Sequence, residues 1–166
     1  MNYEHNRAYV YDATSQTFDE MTKGPPRSLF ADIAEFHEKF ELAYSGPPRV
    51  LDEELAKFRV GFLAEELGEY CLDHHDTEEL VHQIKQNMAP QNVPLDKQFD
   101  ALIDLVYVAL GTAYLQGFDF HEGWRRVHEA NMKKVRVLRA VDSARGSTYD
   151  VAKPEGWVPP SLTDLV

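Results

Sequence analysis

The chain contains one cysteine, Cys71, so no disulfide can close within it, and a reducing compartment is expected. Basic residues are also scarce. Lys and Arg number 17 against 28 Asp and Glu, a formal net charge of −11. Nucleic-acid backbones and anionic membranes both need a basic surface, so neither is expected as a partner. A small anionic substrate stays open if metal ions intervene. The opening stretch MNYEHNRAYVYD lacks an apolar signal core, which points to the cytoplasm. The longest greasy run, Phe99 to Leu115, reads as too short for a membrane span and carries two aspartates. Internal repeats, low-complexity tracts and strand-like alternation are absent.

What remains is a helical pattern. The 166 residues suffice for one domain with a core, and 43% apolar with 27% charged residues is ordinary globular composition. Residues 1–27 are polar and read as an irregular arm. Ser28 can cap a helix reaching about Tyr44, with Leu29, Ile33, Phe36 and Phe40 at helical spacing before SGPPR stops it. Asp52 can cap a second helix whose stripe Leu55, Phe58, Phe62 runs on into Glu66, Glu69 and Asp73. Asp76 and Glu79 have capping-box spacing for a short third helix. A long helix from about Asp96 to Leu115 is apolar on nearly every face, which predicts burial all round and, in a small chain, a second subunit. Asp119 and Glu122 open a final helix carrying Phe120, Trp124 and Val127. The fold class is therefore all-α, an oligomeric bundle of four-helix type. Residues 28–140 form the bundle, and 141–166 form an extended tail anchored by Trp157 and Leu162.

The stretch FLAEELGEYC places Glu65, Glu66 and Glu69 on a helix expected to be buried, and Asp100 and Asp104 stack four apart on the greasy one. If the two helices face each other, five carboxylates share one volume. Burial and like-charge repulsion would raise their pKa values, so either protons or cations must neutralise them. Oxygen donors without cysteine or paired histidines suit Mg2+ or Mn2+, and Mg2+ prefers a few carboxylates plus substrate phosphates. The cluster reads as a divalent-metal site completed by a phosphorylated ligand. Two structural alternatives stand: a solvated face for AEELGEY, and a salt bridge from the aspartates to Arg59 or Lys57.

Other features carry less. DHHD, Asp73 to Asp76, could bind zinc, but adjacent residues point apart on a helix. His121 and His128 read as surface or helix-packing residues, and Cys71 lacks an activating base. RRVHEANMKKVRVLR is locally basic, though the overall charge opposes nucleic-acid binding. Phe36, His37, Phe40 and Tyr107 could line a base pocket, with Phe36 and Phe40 read first as core.

Four stretches, IAEFHEKF, FLAEELGEY, DALIDLVYVALGTAYLQGFDF and VHEANMKKV, resemble the MazG-like all-α nucleoside triphosphate pyrophosphohydrolases, the superfamily that includes phosphoribosyl-ATP pyrophosphohydrolase. The compact, often phage-encoded members are the nearest in pattern, and KPEGWVPPSL is similar to their C-terminal segment. The resemblance implies a Mg2+-dependent homodimer or homotetramer that converts a (deoxy)nucleoside triphosphate, dGTP-type among the options, to monophosphate and pyrophosphate. Its setting would be the cytoplasm, the host's if phage-encoded. By position, Glu66 and Glu69 match the ExxE metal ligands and Asp104 the aspartate of the third helix. Asp100 stands where a glutamate or aspartate is expected, four residues before Asp104 where many relatives have the pair three apart. Glu65 matches a further acidic position, so either it or a ligand carboxylate such as Glu66 would take the proton. Asn131 and Lys134 match the NMxK residues that face phosphates, with Arg125 or Arg126 as additional holders. Phosphoribosyl-ATP hydrolysis and a non-catalytic nucleotide-sensing module remain the rival functions.

Overall fold

A computed structural model describes residues 28–166. The arm expected over residues 1–27 lies outside the described residues. The fold is all-α, with five α-helices among the described residues and one short β-pair. Helix α1 spans Leu29–Lys39 and starts where expected, the Ser28 hydroxyl accepting from the Ala31 amide at 3.1 Å. It stops short of Tyr44 because the chain turns left-handed at Glu41, φ 55°. Helix α2 spans Glu53–Cys71 behind its Asp52 cap, and α3 spans His74–Asn87. The cap of α3 is Asp73, which accepts from the Asp76 amide at 3.0 Å, so the capping pair sits one turn before the expected Asp76 and Glu79. Helix α4 spans Leu95–Gln116 and ends in a left-handed Gly117, φ 75°. Helix α5 spans Phe120–Asn131 behind its Asp119 cap. Strands β1, Val135–Arg136, and β2, Val151–Ala152, pair antiparallel with Arg136 opposite Val151.

The α2–α3 hairpin is the main packed unit. Its buried stripe on α2 is Ala56, Gly61, Ala64 and Gly68, small residues that let α3 approach closely. A methyl at Gly68 would lie 2.5 Å from Thr77 Cγ2, and Thr77 is itself buried with its hydroxyl donating to the Asp73 carbonyl at 2.7 Å. This small-residue face, not the aromatic stripe, decides which side of α2 turns inward. Glu66 and Glu69 therefore stand exposed, contrary to the expected core-facing register.

The tail packs on α5. Trp157 Nε1 donates to the Ala130 carbonyl at 2.9 Å, as an anchor should. The second anchor is Leu165 rather than Leu162, which is exposed: the Asp119 amide donates to the Leu165 carbonyl at 3.3 Å. Arg126 clamps the same end through both Asp164 oxygens, at 2.6 and 2.8 Å.

Helix α4 behaves differently from every other element. It touches α5 lightly, and the Tyr70 hydroxyl donates to Gln116 Oε1 at 3.4 Å near its end. From Phe99 to Leu110 every residue is exposed within the chain, so the expected burial is not met by the chain's own helices. At 22 residues, α4 is long and apolar enough to cross a membrane by length and composition, which corrects the reading of this run as too short.

Candidate active site

Helices α1, α2 and α5, the loop after α1 and the β-pair enclose a half-open cleft of about 810 Å³. Its apolar wall is aromatic. Phe58 and Phe62, one turn apart on α2, lie parallel with centroids 6.2 Å apart, and Tyr149 tilts against Phe58 at 6.3 Å. Phe36 and Trp124 add rings from α1 and α5. The polar wall is cationic, with Arg49, Arg59, Lys134 and Arg136 against Glu41 and Asp150. Desolvation pulls Arg59 below the usual arginine range. Lys134 is lowered first by desolvation and then by Lys153 and Arg145, with Asp150 and Glu66 opposing. A chain of strong negative charge thus places four of its 17 Lys and Arg residues on the wall of one aromatic cleft.

The acidic motif lies beside this cleft on α2. Arg145 ties the two together: Nε donates to Glu65 Oε2 at 2.7 Å, Nη2 to Glu65 Oε1 at 2.9 Å, and Nη1 to Asp150 Oδ1 at 3.2 Å. The guanidinium also covers the Phe62 ring at 4.2 Å. Asp150 is buried and accepts further from the Ser143 hydroxyl and the Val151 amide. Glu65 is thereby fixed in orientation, with both oxygens engaged. Glu66 is the opposite case. Desolvation raises its pKa, Glu69 and Glu65 raise it further, and Arg145 and Lys134 offset part of this. A divalent cation between Glu66 and Glu69 would relieve that crowding, so the donor set fits a hard ion.

The sequence-predicted site residues divide into two groups. Asn131 and Lys134 line the cleft next to the acidic helix. Phe36 and His37 also line it, whereas Phe40 is core at 3% exposure. Asp100, Asp104 and Tyr107 sit on bare α4, Tyr107 being 77% exposed. Neither aspartate is among the charges acting on Glu66, so within one chain the two acidic helices do not converge. Arg125 and Arg126 are committed elsewhere, to Glu122 and Glu129 and to Glu122 and Asp164. Lys57 pairs with Glu53, and Arg59 faces the cleft, so neither meets the aspartates.

Sequence reasoning missed Arg145 and Arg136, and it missed Phe58, Phe62 and Trp124 as cleft walls. It also missed a trio of Asp32, Glu35 and His128, whose ligand atoms lie within 4.8 Å of one another and could hold an ion. Trp124 Nε1 donates to Asp32 Oδ2 there at 2.9 Å. The Asp32–Glu35 spacing of three on one helix was the available signal.

A family model described as phosphoribosyl-ATP pyrophosphohydrolase matches residues 33–131, more than half of the chain. The chain belongs to the phosphoribosyl-ATP pyrophosphohydrolase family. It is thus a member of the MazG-like all-α superfamily and a pyrophosphohydrolase of nucleoside-triphosphate-like substrates, in a family that typically uses a divalent metal. No curated protein and no solved structure matches the chain. The phosphoribosyl-ATP pyrophosphohydrolase match covers the acidic motif of α2, both α4 aspartates and α5 through Asn131. Lys134, Arg136 and Arg145, which complete the cationic side of the site, fall beyond it.

Proposed function

We propose that the protein hydrolyses a (deoxy)nucleoside triphosphate, guanine-type among the bases accommodated, to the monophosphate and pyrophosphate. The observation that carries this is the aromatic, cation-lined cleft against Glu65, Glu66 and Glu69 in a chain of net charge −11. Aromatic faces such as Phe36 and Phe58 stack a base, and Asn131 and Lys134 hold phosphate oxygens. Bound at Glu66 and Glu69, Mg2+ or Mn2+ would neutralise phosphate charge and make water a better nucleophile. Water oxygen attacks the α-phosphorus, the bond from that phosphorus to the bridging oxygen breaks, and pyrophosphate leaves. Glu66 accepts the proton, since Glu65 is occupied by Arg145 while Glu66, raised by burial and by Glu69 and Glu65, lies beside it on the same helix.

The partner for α4 is a second copy of this chain, as a homodimer or within a homotetramer. Asp104, near the middle of α4, argues for this over a lipid partner, since an aspartate costs about 2.5–3.5 kcal/mol at a membrane centre. Apolar surface this extensive needs covering. The copy would bring its own Asp104, with Asp100, to the Glu66–Glu69 pair that lacks them in one chain.

Incubation with Mg2+ and each nucleoside triphosphate, followed by separate assays for pyrophosphate and phosphate, tests the reaction. Equimolar pyrophosphate and monophosphate, lost with chelator and restored by Mn2+, is expected. No turnover of any nucleotide would favour the non-catalytic module. Phosphoribosyl-ATP belongs in the same screen. Arg49, 4.0 Å over the Tyr44 ring, gives the cleft a cation on the loop after α1, apart in sequence from Lys134 and Arg136, which a second phosphate-bearing arm could use.

A further inference from the structure

Building on the nucleotide reading of the cleft, we propose that Arg136 is a dedicated polyphosphate anchor, the residue that distinguishes a nucleoside triphosphate from its nucleoside. Strand β1 places Arg136 on the cleft wall opposite Val151. Its Nε and Nη1 are both buried and have no hydrogen-bond partner among the described residues. Its neighbours are not in this state. Arg145 is occupied by Glu65 and Asp150, Arg139 by Asp142, and Arg126 by Glu122 and Asp164. The one carboxylate of the β-pair region that lines the cleft, Asp150, is already engaged by Ser143, Arg145 and the Val151 amide.

A guanidinium stays charged at any working pH, so it cannot escape burial by losing its proton. Buried donors without an acceptor are costly, more so on a charged group. Such an arrangement makes sense where an acceptor arrives from outside. Nε and Nη1 belong to different edges of the guanidinium plane, so the acceptor must offer oxygens in more than one direction. A tetrahedral phosphate in a polyphosphate chain does so. The flat edge of a base presents its acceptors along one line. Lys134, two residues away, lines the same cleft and interacts electrostatically with Glu66, so a phosphate chain passing Lys134 toward the acidic motif would share its wall with Arg136.

The test is calorimetric titration of wild type, Arg136→Met and Arg136→Lys in Mg2+ buffer. Three probes serve: a non-hydrolysable α,β-methylene nucleoside triphosphate, inorganic pyrophosphate and the matching nucleoside. Arg136→Met is expected to weaken triphosphate and pyrophosphate at least about tenfold, the scale of a lost charge-assisted contact, and to leave the nucleoside unchanged. Arg136→Lys should recover part of the loss. Without ligand, the melting temperature of Arg136→Met should match or exceed wild type, since an unsatisfied buried charge has been removed. Equal weakening of nucleoside and triphosphate, no weakening at all, or a clear fall in ligand-free melting temperature would each overturn the anchor. Wild type that binds none of the three probes would overturn the nucleotide reading itself. Wild type that binds them, with Arg136→Met binding equally well, removes only the anchor.

Discussion

Arg145 grips Glu65 by two parallel hydrogen bonds, at 2.7 and 2.9 Å, across 80 residues of sequence. With both oxygens engaged by one guanidinium, Glu65 is committed to that partner and not free to reach a water. The pair also fastens the segment after β1 to the acidic helix, close to the cleft floor at Phe62.

Glu65→Gln should therefore retain measurable turnover, whereas Glu66→Gln should lose at least about a hundredfold, the scale of a missing general base. Single-turnover release of pyrophosphate measures both. Arg145→Met should lower stability by about 1–3 kcal/mol, since it leaves Glu65 without its donor and buried Asp150 without its only cationic one among the described residues. Chemical denaturation gives that number. Loss of turnover in Glu65→Gln as deep as in Glu66→Gln would restore Glu65 as the base.

The α2–α3 contact depends on an absent side chain. Gly68→Ala puts a methyl against Thr77, a stiff β-branched residue tied to the Asp73 carbonyl. Destabilisation of about 1–3 kcal/mol is expected, typical of overpacking. Thr77→Ala in the same chain should recover part of it, and a double-mutant cycle on denaturation midpoints reads the coupling. Additive effects would mean that the two residues do not share this contact.

Acid should loosen the tail. Hydrogen bonds from Arg125 and Arg126 hold Glu122 down to a pKa of about 2. Its folded pKa lies below its unfolded value of about 4.3, so its stabilisation is complete above that value and disappears as pH falls through about 2. The melting temperatures of wild type and Glu122→Gln should differ by a constant amount above about pH 5 and converge as pH approaches 2. A gap that persists at the acid end would mean that the carboxylate's charge is not what matters.

If a second copy completes the site, two dead variants should rescue each other. Mixing Glu66→Gln with Asp104→Asn after denaturation and refolding should restore about a quarter of wild-type activity, since half the dimers are mixed and each mixed dimer has one intact site. Leu102→Glu, aimed at bare α4, should leave a monomer by light scattering and abolish turnover. An active monomer would separate α4 from the chemistry.

Much of the helical architecture was legible beforehand because its signals are local. Ser28, Asp52 and Asp119 cap where spacing predicts, and Gly117 stops α4. The third helix shifted by one turn because two acceptable caps, Asp73 and Asp76, compete and the earlier one also lets Thr77 bond back to the Asp73 carbonyl. Asn131 and Lys134 were singled out by their motif, and both line the cleft. Arg136 and Arg145 were not, since nothing near them in sequence marks a partner.

By itself the sequence determined the all-α class, the caps at Ser28, Asp52 and Asp119, the acidic motif on one helix and the aspartates on another, because each depends on residues within a few turns of one another. Tertiary structure decided which face of α2 turns inward, since Gly61, Ala64 and Gly68 give their preference only against α3. It also decided that Glu65 is paired while Glu66 is crowded, and that Arg49, Arg59, Lys134 and Arg136 meet at one aromatic cleft. Those outcomes depend on distances between groups far apart in the chain, and electrostatic and packing energies are functions of distance in space.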